Sequence, residues 1–139
     1  MQEDMRPEGT IRPIHLWQDK QAAWHLYVEI ETRIITQPLH PEHCDEKTAL
    51  DSVYSLFQTT REVLIARGPD CTKVGKLAIE VLNEKVRPFT AKWHRESLKG
   101  AFNNPAACQH FRRELAVLQE SLRAFSHKLI HIVQEEDNS

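Results

Sequence analysis

The stretch Asn104–Gln134, "NPAACQHFRRELAVLQESLRAFSHKLIHIVQ", decides the fold class. Asn104 is a good N-cap and Pro105 suits the first helical position, where a missing N–H costs nothing. Cys108, Phe111, Leu115, Leu118, Leu122, Phe125, Leu129 and Ile132 then follow at alternating steps of three and four. That rhythm is the seam of a helical bundle or coiled coil. It predicts a helix of about 30 residues, roughly 45 Å long at 1.5 Å per residue. A helix this long needs partners along its length, and the rest of the chain supplies them.

Three further helices are expected. The first covers about Gln18 to Thr36, with Leu16, Ala23, Tyr27, Ile30 and Ile34 as its stripe and Trp24 beside it. It stops before Pro38 and Pro41. The second runs from about Asp45 to Arg67 around Leu50, Val53, Phe57 and Leu64, and Gly68-Pro69 ends it. Tyr54, Leu56, Val63 and Ile65 widen its apolar face. The third runs from about Thr72 to Leu98 with Pro88 inside it. Pro88 has no N–H for the carbonyl of Glu84, so a kink is expected near residues 84 to 88.

Short connections then give an all-α, up-down antiparallel four-helix bundle with a proline-kinked third helix and a long fourth helix. Residues 14–134 form the bundle, 1–13 a flexible N-terminal tail and 135–139 an acidic C-terminal tail. Four glycines among 139 residues argue against a turn-rich β-protein. A 40% apolar and 27% charged composition is that of a globular chain.

The net charge of −2 argues against an electrostatically driven nucleic-acid binder. The charge is uneven, though: Lys85 to Lys99 carries five Lys or Arg against one Glu. With Trp93 and His94 this segment could contact phosphates and stack a base. Cys44, Cys71 and Cys108 are widely spaced and odd in number, which reads as reduced thiols in a cytoplasmic protein. There is no 18-residue apolar run and no signal peptide, so no membrane association is expected.

Several polar groups carry possible chemistry. "HPEHCDE" (40–46) gathers His40, His43 and Cys44, donor types that zinc takes, but a closed site needs four ligands. The plainer reading is a polar turn leading into the second helix. His127 and His131, four residues apart, fall on the outer face of the last helix. No cofactor is expected. No nucleophile elbow, P-loop or dinucleotide fingerprint is present, and an enzyme is not expected.

Helical projection puts Glu31 and Arg61 inside apolar arcs, with Lys85 and Lys92 near the apolar direction of the third helix. Buried lone charges are costly, so a Glu31–Arg61 ion pair is expected, with Lys92 or Arg87 contributing. Such a pair could fix helix register, or open on a cleft that holds an anionic group.

"LYVEIETRIITQPL" (26–39), "SVYSLFQTTREVL" (52–64) and "VLNEKVRPFTAKWH" (81–94) resemble segments of a small family of bacterial helical proteins. Its patterns are LYVEL-x-TRI-x-TQPL, SLYSLF-x-x-TRE and LN-x-x-LRPF-x-x-KWHP. The resemblance implies that Glu31, Arg33, Gln37, Arg61, Asn83, Arg87, Lys92, Trp93 and His94 belong to the motifs. It implies no activity, only an accessory role in a defence or signalling system. Arg95 stands where the pattern has proline, so the third helix is expected to run on.

The functional expectation is a non-enzymatic protein-protein interaction or scaffold module of a bacterial cytosolic complex, with a protein partner or a homo-oligomer. Self-association would use the last helix or the wide face of the second. The alternatives are a nucleic-acid-binding accessory using residues 85–99, and a bundle that binds a metal or a small anion.

Overall fold

A computed structural model describes residues 13–33 and 45–135. Among them every regular element is helical and there is no strand. The α-helices are α1 (Pro13–Glu31), α2 (Glu46–Arg67), α3 (Thr72–Val81), α4 (Arg87–Leu98) and α5 (Pro105–Gln134). A 3-10 turn (Gly68–Cys71) joins α2 to α3, and a π-helical turn (Leu82–Val86) joins α3 to α4. None of these helices is long and apolar enough to cross a membrane.

α5 forms as its sequence dictates. Asn104 Oδ1 accepts from the backbone N–H groups of Ala106 and Ala107, and Pro105 opens the first turn. All of its seam residues from Phe111 to Ile132 are buried, and Cys108 is half-buried. The seam is covered mainly by α1 of the same chain. α2 lies against α1 and α4, and both α3 and α4 reach α5. Asp45 caps α2 through the Lys47 backbone N–H. Gly68 (φ 75°) and Gly100 (φ 81°) hold the left-handed turns that end α2 and α4, where a Cβ would be strained.

α1 starts earlier and ends earlier than its periodicity suggests. Its last turn closes at Glu31, with Thr32 Oγ1 donating to the Val28 carbonyl. Arg33 reaches across to α2, donating to Ser55 Oγ and Thr59 Oγ1, both at 2.6 Å. Its inward face is Ala22, Ala23, Leu26 and Ile30, all buried. Two alanines let α1 approach α5 closely, and the bulky Trp24 is turned away, half-exposed. The inward direction therefore lies further from Trp24 than the sequence projection places it.

Pro88 produces the break expected in the third helix, in a specific form. The Arg87 N–H donates to the Leu82 carbonyl, five residues back, which is the π-helical pairing. The turn inserts one extra residue, a rotation of about 100°. An unbroken α-helix with Val74 and Ala78 inward would also turn Lys85 and Lys92 inward. After the π-turn the buried positions are Val86, Phe89, Thr90 and Trp93 instead. Lys85 gives its inward place to Val86 and Lys92 gives its own to Trp93. α4 then runs on past Arg95 to Leu98.

The start of α3 is capped from a distance. Its own N-cap residue, Cys71, gives no side-chain bond. Asp19 of α1, 4% exposed, fills that role, its Oδ1 accepting from the Val74 N–H at 2.9 Å. The carboxylate meets the positive end of the α3 dipole as well as an otherwise orphaned donor. Asp19→Ala should therefore lower unfolding stability by about 1–3 kcal/mol with an unchanged denaturant m-value. Asp19→Asn, which keeps the acceptor oxygen, should lose less. Urea melts of the two variants check this, and an unshifted midpoint for the alanine variant would show that the cap is not used.

Candidate functional site

The sequence gathers Glu31, Arg61, Asn83, Arg87, Lys92, Trp93 and His94 into one polar cluster, and the structure separates them: Lys92 and Trp93 meet Glu114, Arg61, Asn83, Arg87 and His94 lie around a cleft between α2 and α4, and Glu31 stands apart. Three places are formed. The expected Glu31–Arg61 ion pair is not formed. Both side chains are exposed. Glu31 Oε1 accepts from Ser126 Oγ at 2.6 Å, and Arg61 makes one long contact, 3.5 Å, with Gln58 Oε1. The physical reason is the rotation of α1: Glu31 shares a side with exposed Trp24, not with the core.

The first place is the junction of α4 and α5, organised by Glu114. Its Oε1 accepts from Lys92 Nζ at 2.6 Å and its Oε2 from Trp93 Nε1 at 2.7 Å. Lys92 Nζ also lies 3.0 Å from His110 Nε2. Trp93, 2% exposed, packs edge-on against Phe111 with centroids 5.1 Å apart and stacks on Phe102 at 6.1 Å. Burial by itself raises the Glu114 carboxyl, but the hydrogen bonds from Lys92 and Trp93 and the charges of Lys92 and His110 outweigh it. The net effect holds Glu114 below the usual carboxylate range. Sequence reading missed Glu114. The signal was the Trp93 indole N–H, which needs an acceptor once the ring is buried.

The second place is a cleft of about 330 Å³ between α2 and α4. Tyr54, Phe57, Gln58 and Arg61 line it from α2, and Arg87, Thr90 and Ala91 from α4. Arg87 is held in position: its guanidinium carbon lies 4.9 Å from the Phe57 ring centroid, and Asn83 Oδ1 accepts from its Nε and Nη2. Tyr54 Oη donates to the Thr90 carbonyl at 3.2 Å, and the exposed His94 sits edge-on to Tyr54 with centroids 6.0 Å apart. No carboxylate lines the cleft. Glu62, outside the lining, accepts from Gln58 Nε2 at 2.8 Å.

No family model, curated protein or solved structure matches the chain. Its chemistry therefore rests on its own geometry.

The third place is a groove of about 380 Å³ on the other side of α4, where Lys85 and Lys92 face Glu84 and Glu114 over Phe89, Val117 and Leu118. Lys92 is paired with Glu114 there, and carboxylates share the lining, unlike that of the arginine cleft. Arg112 is likewise matched, its Nε bonding Glu46 Oε1 at 2.9 Å and tying α5 to the start of α2.

The described thiols are not activated. Burial pushes Cys71 up, with the charge of Asp19 adding to it, and burial also pushes Cys108 up. Among the described residues no group of three or more His, Cys, Asp or Glu could hold a metal ion. His40, His43, Cys44 and Gln37 lie outside the described residues. His127 and His131 are both exposed.

Two outcomes follow from this arrangement. Arg61→Ala should melt within about 0.5 kcal/mol of the unaltered chain, because the side chain supports no buried partner. Glu114→Gln should destabilise, with a definite pH signature. A folded-state pKa below the ordinary value of 4.5 gives stability that is present above that pH and lost as pH falls below it. The gap between the two melting curves should be full at neutral pH and narrow below that value. A pH-independent gap would show that the Glu114 charge contributes nothing.

Proposed function

We propose that the chain is a non-enzymatic protein-interaction module, an accessory component of a bacterial cytosolic complex in defence or signalling. Its architecture for this role is the up-down antiparallel four-helix bundle, with a third helix broken at Pro88 and a long fourth helix. Contacts between distant segments support that topology. Glu31 near the end of α1 meets Ser126, while Asp19 near its start meets Val74, and Lys73 pairs with Glu135 at the end of α5. α1 and α5 therefore run in opposite senses.

The observation that carries the functional reading is the outer face of α1. Trp17 (53% exposed), Trp24 (50%) and Val28 (38%) follow at steps of seven and four, opposite the buried Ala22, Leu26 and Ile30. Tyr27 stacks on Trp24 at 5.8 Å and fixes the indole in place. A helix with apolar stripes on both sides has one stripe to give to another chain. The occupant that fits is a second copy. Lys20 near one end of this face and Glu31 near the other are complementary when two α1 helices pair antiparallel about a two-fold axis beside Trp24.

The nucleic-acid reading loses its stacking platform, because Trp93 is buried and donates to Glu114. Lys92 faces Glu114, and Arg95 and Lys99 both face Glu96.

Light scattering across a micromolar concentration series should give a dimer that dissociates on dilution. Trp24→Glu should be monomeric with an unchanged far-UV spectrum. Lys20→Glu should weaken the dimer and Lys20→Glu/Glu31→Lys should restore it. A monomer at every concentration, or an unchanged mass for Trp24→Glu, would rule out this face as the contact.

A further inference from the structure

We infer that the cleft between α2 and α4 is a binding site for a phosphate monoester, with Arg61 and Arg87 as its anion-holding residues. The proposal does not use the α1 surface.

The first support is charge balance. Arg61 and Arg87 open on the same cavity, no carboxylate lines it, and neither side chain takes part in an ion pair. Arg33, Arg95 and Arg112 elsewhere in the chain are each paired with a glutamate. The groove on the far side of α4, about 380 Å³, also holds cations, but Glu84 and Glu114 line it with them and Lys92 is paired with Glu114. Two guanidiniums that open on one cavity with no carboxylate in its lining favour a ligand of matching charge. A phosphate monoester carries about −1.5 to −2 at neutral pH, which matches two arginines; a single carboxylate leaves one unmatched.

The second support is preorganisation. Arg87 is clamped from two sides, by the Phe57 ring below its plane and by Asn83 Oδ1 on its Nε edge. Its Nη1 donors remain for a ligand, and the plane cannot swing freely. Guanidinium N–H forks fit phosphate oxygens in pairs, so a fixed fork loses less freedom on binding. Arg61 enters from α2 with only one long contact, to Gln58. One arginine is held and the other is free to close. Tyr54 Oη is already donating to the Thr90 carbonyl, so it braces the wall and is not counted as an anion donor.

The third support is shape. A volume of about 330 Å³ exceeds that of a bare phosphate and leaves space for the esterified group. Phe57 and Tyr54 give that space an aromatic side. The phosphoryl group could come from a small metabolite or from a phosphorylated side chain of another protein. Both share the same chemistry.

The test is isothermal titration at low ionic strength with two probes, inorganic phosphate and phenyl phosphate, and with benzoate as the monoanion control. Phenyl phosphate should bind, and benzoate should bind far more weakly. Arg61→Ala and Arg87→Ala should each weaken binding roughly tenfold or more, as loss of a charge-assisted contact does. Arg61→Lys should recover only part of the loss, because it keeps the charge and not the fork. Both arginines are exposed, so the variants should fold, and an unchanged melting temperature without ligand confirms it. Binding of inorganic phosphate nearly as tight as phenyl phosphate supports a small phosphorylated metabolite. A strong preference for phenyl phosphate supports an aromatic phosphoester such as a phosphorylated tyrosine. Absence of binding by both probes at millimolar concentration, equal binding of benzoate, or affinity unchanged in the Arg61→Ala/Arg87→Ala variant would overturn the assignment.

Discussion

The missing N–H of Pro88 is the constraint on which the arrangement of α4 against its neighbours depends. A regular helix has no donor to offer the Glu84 carbonyl there, and the chain answers with a π-helical turn over Leu82–Val86. The extra residue rotates everything downstream. Val86, Phe89 and Trp93 become core, and Arg87 is carried onto Phe57 of α2. Lys92 is carried to the α5 side, where Glu114 waits. One absent hydrogen bond thus parts two cations of the segment: Lys92 is paired with Glu114, and Arg87 faces the cleft.

This partition has an electrostatic logic. Lys92 and Trp93 are adjacent in sequence and converge on the two oxygens of one carboxylate. Their contact lies beside the aromatic packing of Phe89, Phe102 and Phe111, where an unmatched polar group would be costly. On the α2 side the fold supplies an aromatic ring and an amide oxygen but no acid. These fix the position of Arg87 without cancelling its charge.

The sequence was most legible where one local rule acted alone. α5 could be read with its cap and its end because Asn104, Pro105 and the apolar seam all agree. α2 and its stop at Gly68 were equally plain. The break at Pro88 was foreseeable, but its phase was not. A kink and a π-turn both answer a missing donor, and only the latter moves Lys85 and Lys92 off the inward direction. Glu31 falls in an apolar arc only if Trp24 is core, and Arg61 only if Tyr54 and Ile65 are, whereas all three are exposed and Ala22 and Ala23 set the inward side of α1. Asp19 and Glu114 escaped notice for a related reason. A carboxylate in an amphipathic helix reads as surface, and its role as cap or acceptor exists only once a helix 55 or 21 residues away is in place.

The pairing of α1 with α5 has a consequence for how the chain acquires its fold during synthesis. These helices bury the most against each other, yet they lie at opposite ends of the described sequence. Ala22, Ala23, Leu26 and Ile30 emerge from a ribosome before Leu122, Phe125 and Leu129. Until α5 is made, the part of the α1 inner stripe that packs on it is uncovered. Contacts of such long sequence separation slow folding relative to a bundle closed by neighbouring helices. Until α5 is complete the nascent chain is therefore sticky along α1, a window in which chaperones or a neighbouring nascent copy would meet it first.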